Sequence, residues 1–100
     1  MSDVIPDIRA TLKLADHHVK AGEYPEAIAL YNGLAEHYAD AGCRVHAVAM
    51  FKQVLQLLGA FEPGLLYSYR IVWSRLADLY GAMGLAKDAR YARRRYDALE

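Results

Sequence analysis

One hundred residues, 55% hydrophobic and 24% charged, make one domain (1–100) with a modest core and exclude a disordered chain. No apolar run approaches the roughly 18 residues that span a membrane, and "MSDVIPDIRA" lacks the basic and apolar regions of a secretory signal, so a cytoplasmic protein is expected. Basic and acidic residues balance at twelve each, a poor match for a dedicated nucleic-acid binder.

The balance hides a polarity. Residues 1–50 hold seven acids and four bases, −3, and residues 51–100 hold five acids and eight bases, +3. Such a chain suits a charged partner or head-to-tail packing of copies. Cys43 is the single cysteine, which excludes an internal disulfide and fits a reducing compartment.

Apolar residues recur at intervals of three and four, and almost nowhere at two. Pro6, Pro25 and Pro63 each stand where a helix would start. Breaks are expected at "KAGEYP", "DAGCR", "LGAFEPG" and "AMGLAK". The first helix, over 6–21, stacks Ile8, Leu12, Ala15 and Val19. The second, over 24–41, presents Ala27, Leu30, Tyr31, Leu34, Ala35 and Tyr38, a stripe wide enough for packing on two sides. The third, over 44–58, uses Val48, Phe51, Val54, Leu55 and Leu58. The fourth, over 64–82, carries Leu66, Tyr69, Val72, Trp73, Leu76, Tyr80 and Met83. The fifth, over 85–98, aligns Leu85, Ala89, Ala92, Tyr96 and Leu99. The fold class is all-α, with antiparallel neighbours joined by short turns.

One template recurs three times in register. From Trp73 it reads Leu76, Ala77 and Tyr80, then Gly84 at +11 and Ala89 at +16. From Tyr31 it reads Leu34, Ala35 and Tyr38, then Gly42 at +11, Ala47 at +16 and Phe51 at +20. From Thr11 it reads Leu14, Ala15 and His18, then Gly22, Ala27 and Tyr31 at the same offsets. The alanines permit close helix approach, the aromatics fill the space beside them, and glycine accepts the angles of a turn.

These residues resemble the tetratricopeptide repeat over nearly the whole chain except residues 59–69, and "LAEHYADAGCRVHAVAMFKQVLQL" resembles compact bacterial members. The resemblance implies a five-helix antiparallel stack, a short right-handed α-solenoid. The spacing departs from the usual 34 or so residues: Thr11 to Tyr31 is 20, and Tyr31 to Trp73 is 42. Tyr31 therefore ends one unit and opens the next, and the second helix is shared between two hairpins.

No phosphate-loop, dinucleotide, nucleophile-elbow, HExxH or CxxC pattern occurs, so no catalytic, cofactor or metal site is expected. His17 and His18 are adjacent and diverge by about 100° on a helix; His37 and His46 sit near the ends of the second hairpin. The implied function is non-catalytic protein–protein interaction, as an adaptor or scaffold that holds a peptide or helix of a partner on a concave face. Its contact residues are expected to be Arg9, Asp16, Lys20, Asn32, Glu36, Asp40, Ser74 and Asp78. That set is mixed or acidic, unlike the basic residues with which some family members hold chaperone tails.

A second candidate surface is the run Arg90, Arg93, Arg94 and Arg95, interleaved with Tyr91 and Tyr96. The alternative function is nucleic-acid or phosphate binding there. A first helix bearing Ile5, Ile8, Leu12, Leu14 and Val19 caps a stack poorly, so a cover is expected there, either a partner or another copy of the chain. Tyr31 and Leu34 are expected to be buried, and Glu36 and Asp40 wet. Tyr31→Ala should cost about 3–5 kcal/mol of stability, as a loss of core aromatic volume does, measured by denaturant unfolding.

Overall fold

A computed structural model describes residues 7–61 and 66–99, without the side chains at 61, 66 and 67. It contains five α-helices, α1 Ile8–Lys20, α2 Tyr24–Asp40, α3 Arg44–Phe61, α4 Leu66–Ala82 and α5 Ala86–Ala98, and no strand among the described residues. Among those residues no helix is long and apolar enough to cross a membrane.

The helix starts follow local chemistry. Asp7 caps α1, its side chain accepting a hydrogen bond from the Ala10 N–H at 3.1 Å. Pro25 occupies the first turn of α2, where its missing N–H costs nothing. The proline starts at Pro6 and Pro63, and the apolar Ile5, lie outside the described residues.

Three helix ends share one geometry. Gly22, Gly42 and Gly84 have φ of 77°, 79° and 76°. In each turn the residue after the glycine donates to a carbonyl five residues back: Glu23 to His18 at 2.8 Å, Cys43 to Tyr38 at 2.8 Å and Leu85 to Tyr80 at 2.9 Å. The glycine N–H donates three residues back, to Val19, Ala39 and Gly81. This Schellman pattern satisfies the last carbonyls of the helix and requires a left-handed residue, which glycine supplies without a Cβ clash. The next helix opens identically, with Ala27, Ala47 and Ala89 donating to the carbonyls of Glu23, Cys43 and Leu85.

Each helix packs against its neighbour in the chain: α1 on α2, α2 on α3, α3 on α4 and α4 on α5. Alanines occupy the seams. Ala15, Ala27, Ala35, Ala47 and Ala92 are fully buried, and Ala77 nearly so. Phe51, Leu34, Leu58, Leu76 and Val54 are the largest fully buried side chains, so α3 with its flanking faces of α2 and α4 is the centre of the core. Each such side chain contributes roughly 1.5–3 kcal/mol by leaving water.

Two expectations change. The break placed at Leu58 falls later, because α3 runs through Gly59 to Phe61. Gly59 sits within the helix, and a Cβ there would meet the Tyr69 hydroxyl of α4 at 3.4 Å, an ordinary contact, so this glycine does not end the helix. Leu85, assigned to the buried stripe of the last helix, is instead the exposed N-cap of α5, and Ala89, Ala92 and Tyr96 carry that stripe.

Gly84→Ala should cost about 1–2 kcal/mol, the penalty of a left-handed alanine, and a thermal melt would register it. Gly33→Ala, at a helical position with nothing within 4 Å of the added Cβ, should be neutral or stabilising in the same melt.

Candidate interaction groove

α2 and α4 lie beside one another across a groove. α2 contributes Pro25, Ile28, Ala29 and Asn32 to a hollow of about 240 Å³, and α4 contributes Ser68, Ile71 and Val72. Val54 of α3, 1% exposed, forms its floor. None of these residues is charged. Ile71 remains 39% exposed, high for an isoleucine beside a core.

Farther along, an ion pair crosses the groove. Arg75 donates from Nε to Glu36 Oε2 at 3.0 Å and from Nη2 to Glu36 Oε1, a two-pronged bond between residues 39 apart in sequence. The hydrogen bond to Glu36, opposed by burial and assisted by the charges of Glu36, Asp78 and Asp40, raises the Arg75 pKa above the ordinary guanidinium value. Glu36 is thus no free, wet carboxylate as the helical wheel suggests. Its side chain is 37% exposed and committed to α4.

The remaining predicted contact residues divide. Asn32 and Ser74 are half-buried and line hollows in the groove region. Asp40 and Asp78 are exposed, with Asp78 3.9 Å from Arg93. Arg9, Asp16 and Lys20 are exposed on α1; Asp16 and Lys20 form an ion pair of 2.9 Å within that helix. The hollow that α1 shares with α2 is a separate one, lined by Thr11, Ala29, Leu30, Gly33 and Leu34.

Ile28, Arg70, Ile71 and Arg75 were absent from the sequence-derived set. Ile28 and Ile71 fall outside the apolar stripes read for the second and fourth helices, and the structure places both on the lining of the groove. A second hollow, about 270 Å³, adjoins at Ile71 and is lined by Arg70, Ile71, Ser74, Arg75 and Tyr96.

The arginines of α5 are partly spent on the fold. Arg95 lies 5.7 Å from the Trp73 ring centroid and Arg93 5.7 Å from that of Tyr96, while Trp73 and Tyr91 meet edge-on at 5.8 Å. All four of Arg90, Arg93, Arg94 and Arg95 are exposed. The histidines do not converge. His18 bonds Glu23 at 2.7 Å, His46 stacks on Tyr38 at 5.0 Å, and no metal-binding cluster forms among the described residues.

The charge polarity also resolves by element. α1 carries Arg9, Lys13 and Lys20 against Asp16, whereas α2 carries Glu26, Glu36 and Asp40 with no lysine or arginine. The acidic half of the sequence is therefore the groove-lining helix and not the end helix.

Comparison with known proteins finds no family model, no curated protein and no solved structure that matches the chain.

Glu36→Gln should lower stability by about 0.5–1 kcal/mol, less at high salt, because the pair is more than a third exposed. Denaturant melts at two ionic strengths would measure it. Burial, aided by the charge of Asp16, raises the Tyr31 pKa above its ordinary 10.0. The unfolded chain then ionises first as pH rises. This contribution is whole below about pH 10 and is lost as pH rises through the folded value. Stability should fall above pH 10, and Tyr31→Phe should make the fall shallower.

Proposed function

We propose that this chain is a compact tetratricopeptide-like stack that binds a segment of another protein in the groove between α2 and α4, without catalysis. In this reading α2 is shared, closing a hairpin with α1 and opening one with α3, and its contacts with both neighbours support that sharing. The three glycine turns, alike in φ and in hydrogen bonds, and their alanine starts support the repeat. Observations on one chain and its internal repetition carry the assignment of class, and the function attaches to the groove.

The observation that carries the functional reading is the uncharged hollow floored by Val54 and rimmed by the exposed Ile71. Apolar surface left open between two polar walls is what a peptide or helix covers in helix-in-groove recognition. The exposed lone Cys43 fits the reducing, cytoplasmic setting expected for such a module. Self-association belongs to the same reading, through the exposed Leu14 of α1.

Nucleic-acid binding through α5 is disfavoured by the zero net charge of the chain, and Arg93 and Arg95, though exposed, also lie over rings of the fold. A partner recovered from native cytosol with the full chain should be lost on Ile71→Glu and kept on the double change Arg90→Glu with Arg94→Glu. The opposite pattern would move the function to α5. Duplex affinity weaker than micromolar, vanishing at physiological salt, would exclude the nucleic-acid reading.

A further inference from the structure

The two hollows that meet at Ile71 differ in chemistry. The first offers Ile28, Val54, Ile71 and Val72 and no charge. The second offers two guanidinium groups and the hydroxyls of Ser74 and Tyr96, and no acid. Its two arginines are not equivalent. Arg75 is neutralised by Glu36 through two hydrogen bonds. Arg70 lies with its guanidinium carbon 4.4 Å from the Tyr96 ring centroid, and has no ion-pair partner among the described residues. Its Nε is sealed from solvent with no hydrogen-bond acceptor. The carboxylate of Asp78 stands eight residues along α4, about 12 Å of helix rise from Arg70.

A cation held over a ring, lining a hollow and without an ion-pair partner among the described residues, fits an anion brought by a ligand. Stacking on Tyr96 holds the guanidinium plane in place, so little side-chain freedom is lost when a carboxylate pairs with it. The apolar hollow beside it requires the anion to arrive with an aliphatic group. Ser68 and Ser74 mark the two hollows on α4, about 9 Å apart along the helix axis. A segment bridging them carries its two groups about six or seven residues apart if helical, or about three residues apart if extended.

We propose that the groove selects protein segments in which an aliphatic side chain, seated between Ile28 and Ile71, is followed at this spacing by an aspartate or glutamate that pairs with Arg70 beside Ser74. The inference rests on the groove reading above and specifies its partner. Charge complementarity decides the occupant: Arg75 is already neutralised by Glu36 and Asp40 is an exposed acid, so Arg70 is the cation left for a carboxylate.

Selection from a random dodecapeptide display library, fused so that no free C-terminal carboxylate is presented, tests it on the immobilised full chain. Enriched sequences should pair an aliphatic residue with Asp or Glu at this spacing. An amidated peptide made from them should lose affinity roughly tenfold or more on Glu→Gln, the worth of one charge-assisted bond. Arg70→Gln should cause a similar loss. Because that change also loosens the contact with Tyr96, Ser74→Asp provides a second route: it places an internal carboxylate beside Arg70 and should weaken acidic peptides, while Ser74→Ala leaves them within a few-fold. Circular dichroism confirms that each variant is folded. Peptides enriched without an acid, or indifferent to Glu→Gln and Ser74→Asp, would overturn this inference and leave groove binding standing. No enrichment at all would overturn the groove reading and this inference with it.

Discussion

Everything in this fold depends on three residues being free to take a left-handed backbone. Gly22, Gly42 and Gly84 end three helices with φ near +77° and the same pair of hydrogen bonds. A helix that ends this way releases the chain at one angle, with its final carbonyls satisfied, and the next helix begins within three residues. With no slack in the connection, consecutive helices must lie against each other, and the alanines at the seams let them lie close. Ala15, Ala27, Ala35 and Ala47 are fully buried because the turn geometry drives those positions together.

The groove follows from α3. α3 continues past Gly59, and its long apolar face supplies Phe51, Val54 and Leu58 to the centre of the molecule. α2 and α4 are then neighbours across Val54 with space between them. That space stays open on one stretch, where Ile28 faces Ile71 and Val72, and is crossed on the next by Glu36 and Arg75. The ion pair is modest in free energy because both side chains remain partly wetted. It matters as a register mark, tying one turn of α2 to one turn of α4.

The last helix shows how charge can be structural. α5 has few large apolar residues to bury. Ala92 lets it approach α4, and rings and guanidinium groups interleave around that contact: Arg70 and Arg93 on Tyr96, Arg95 on Trp73, Trp73 on Tyr91. What reads along the chain as a basic run for phosphate is in part the glue of a helix pair. All four arginines keep the exposure that the linear pattern suggests, and Arg93 and Arg95 in addition lie over rings.

The helices, their turns and most of the core were legible in the sequence because they obey local rules. A left-handed glycine, a proline in a first turn and apolar spacing of three and four act within a few residues, so Leu34, Phe51 and Leu76 announce their burial without reference to distant parts of the chain. The groove was legible only in part. Asn32, Ser74 and Glu36 fall on the predicted face, yet Glu36 is paired with Arg75, and Ile28, Ile71 and Arg70 were hidden among core and surface residues of the same type. By itself, then, the sequence determined that this chain is a run of close-packed helical hairpins. Which side chains face each other across α2 and α4, which arginine is neutralised and which is left wanting an acceptor were decided only by tertiary structure, because those pairings join residues about 40 positions apart through the placement of α3, and no local periodicity encodes that distance.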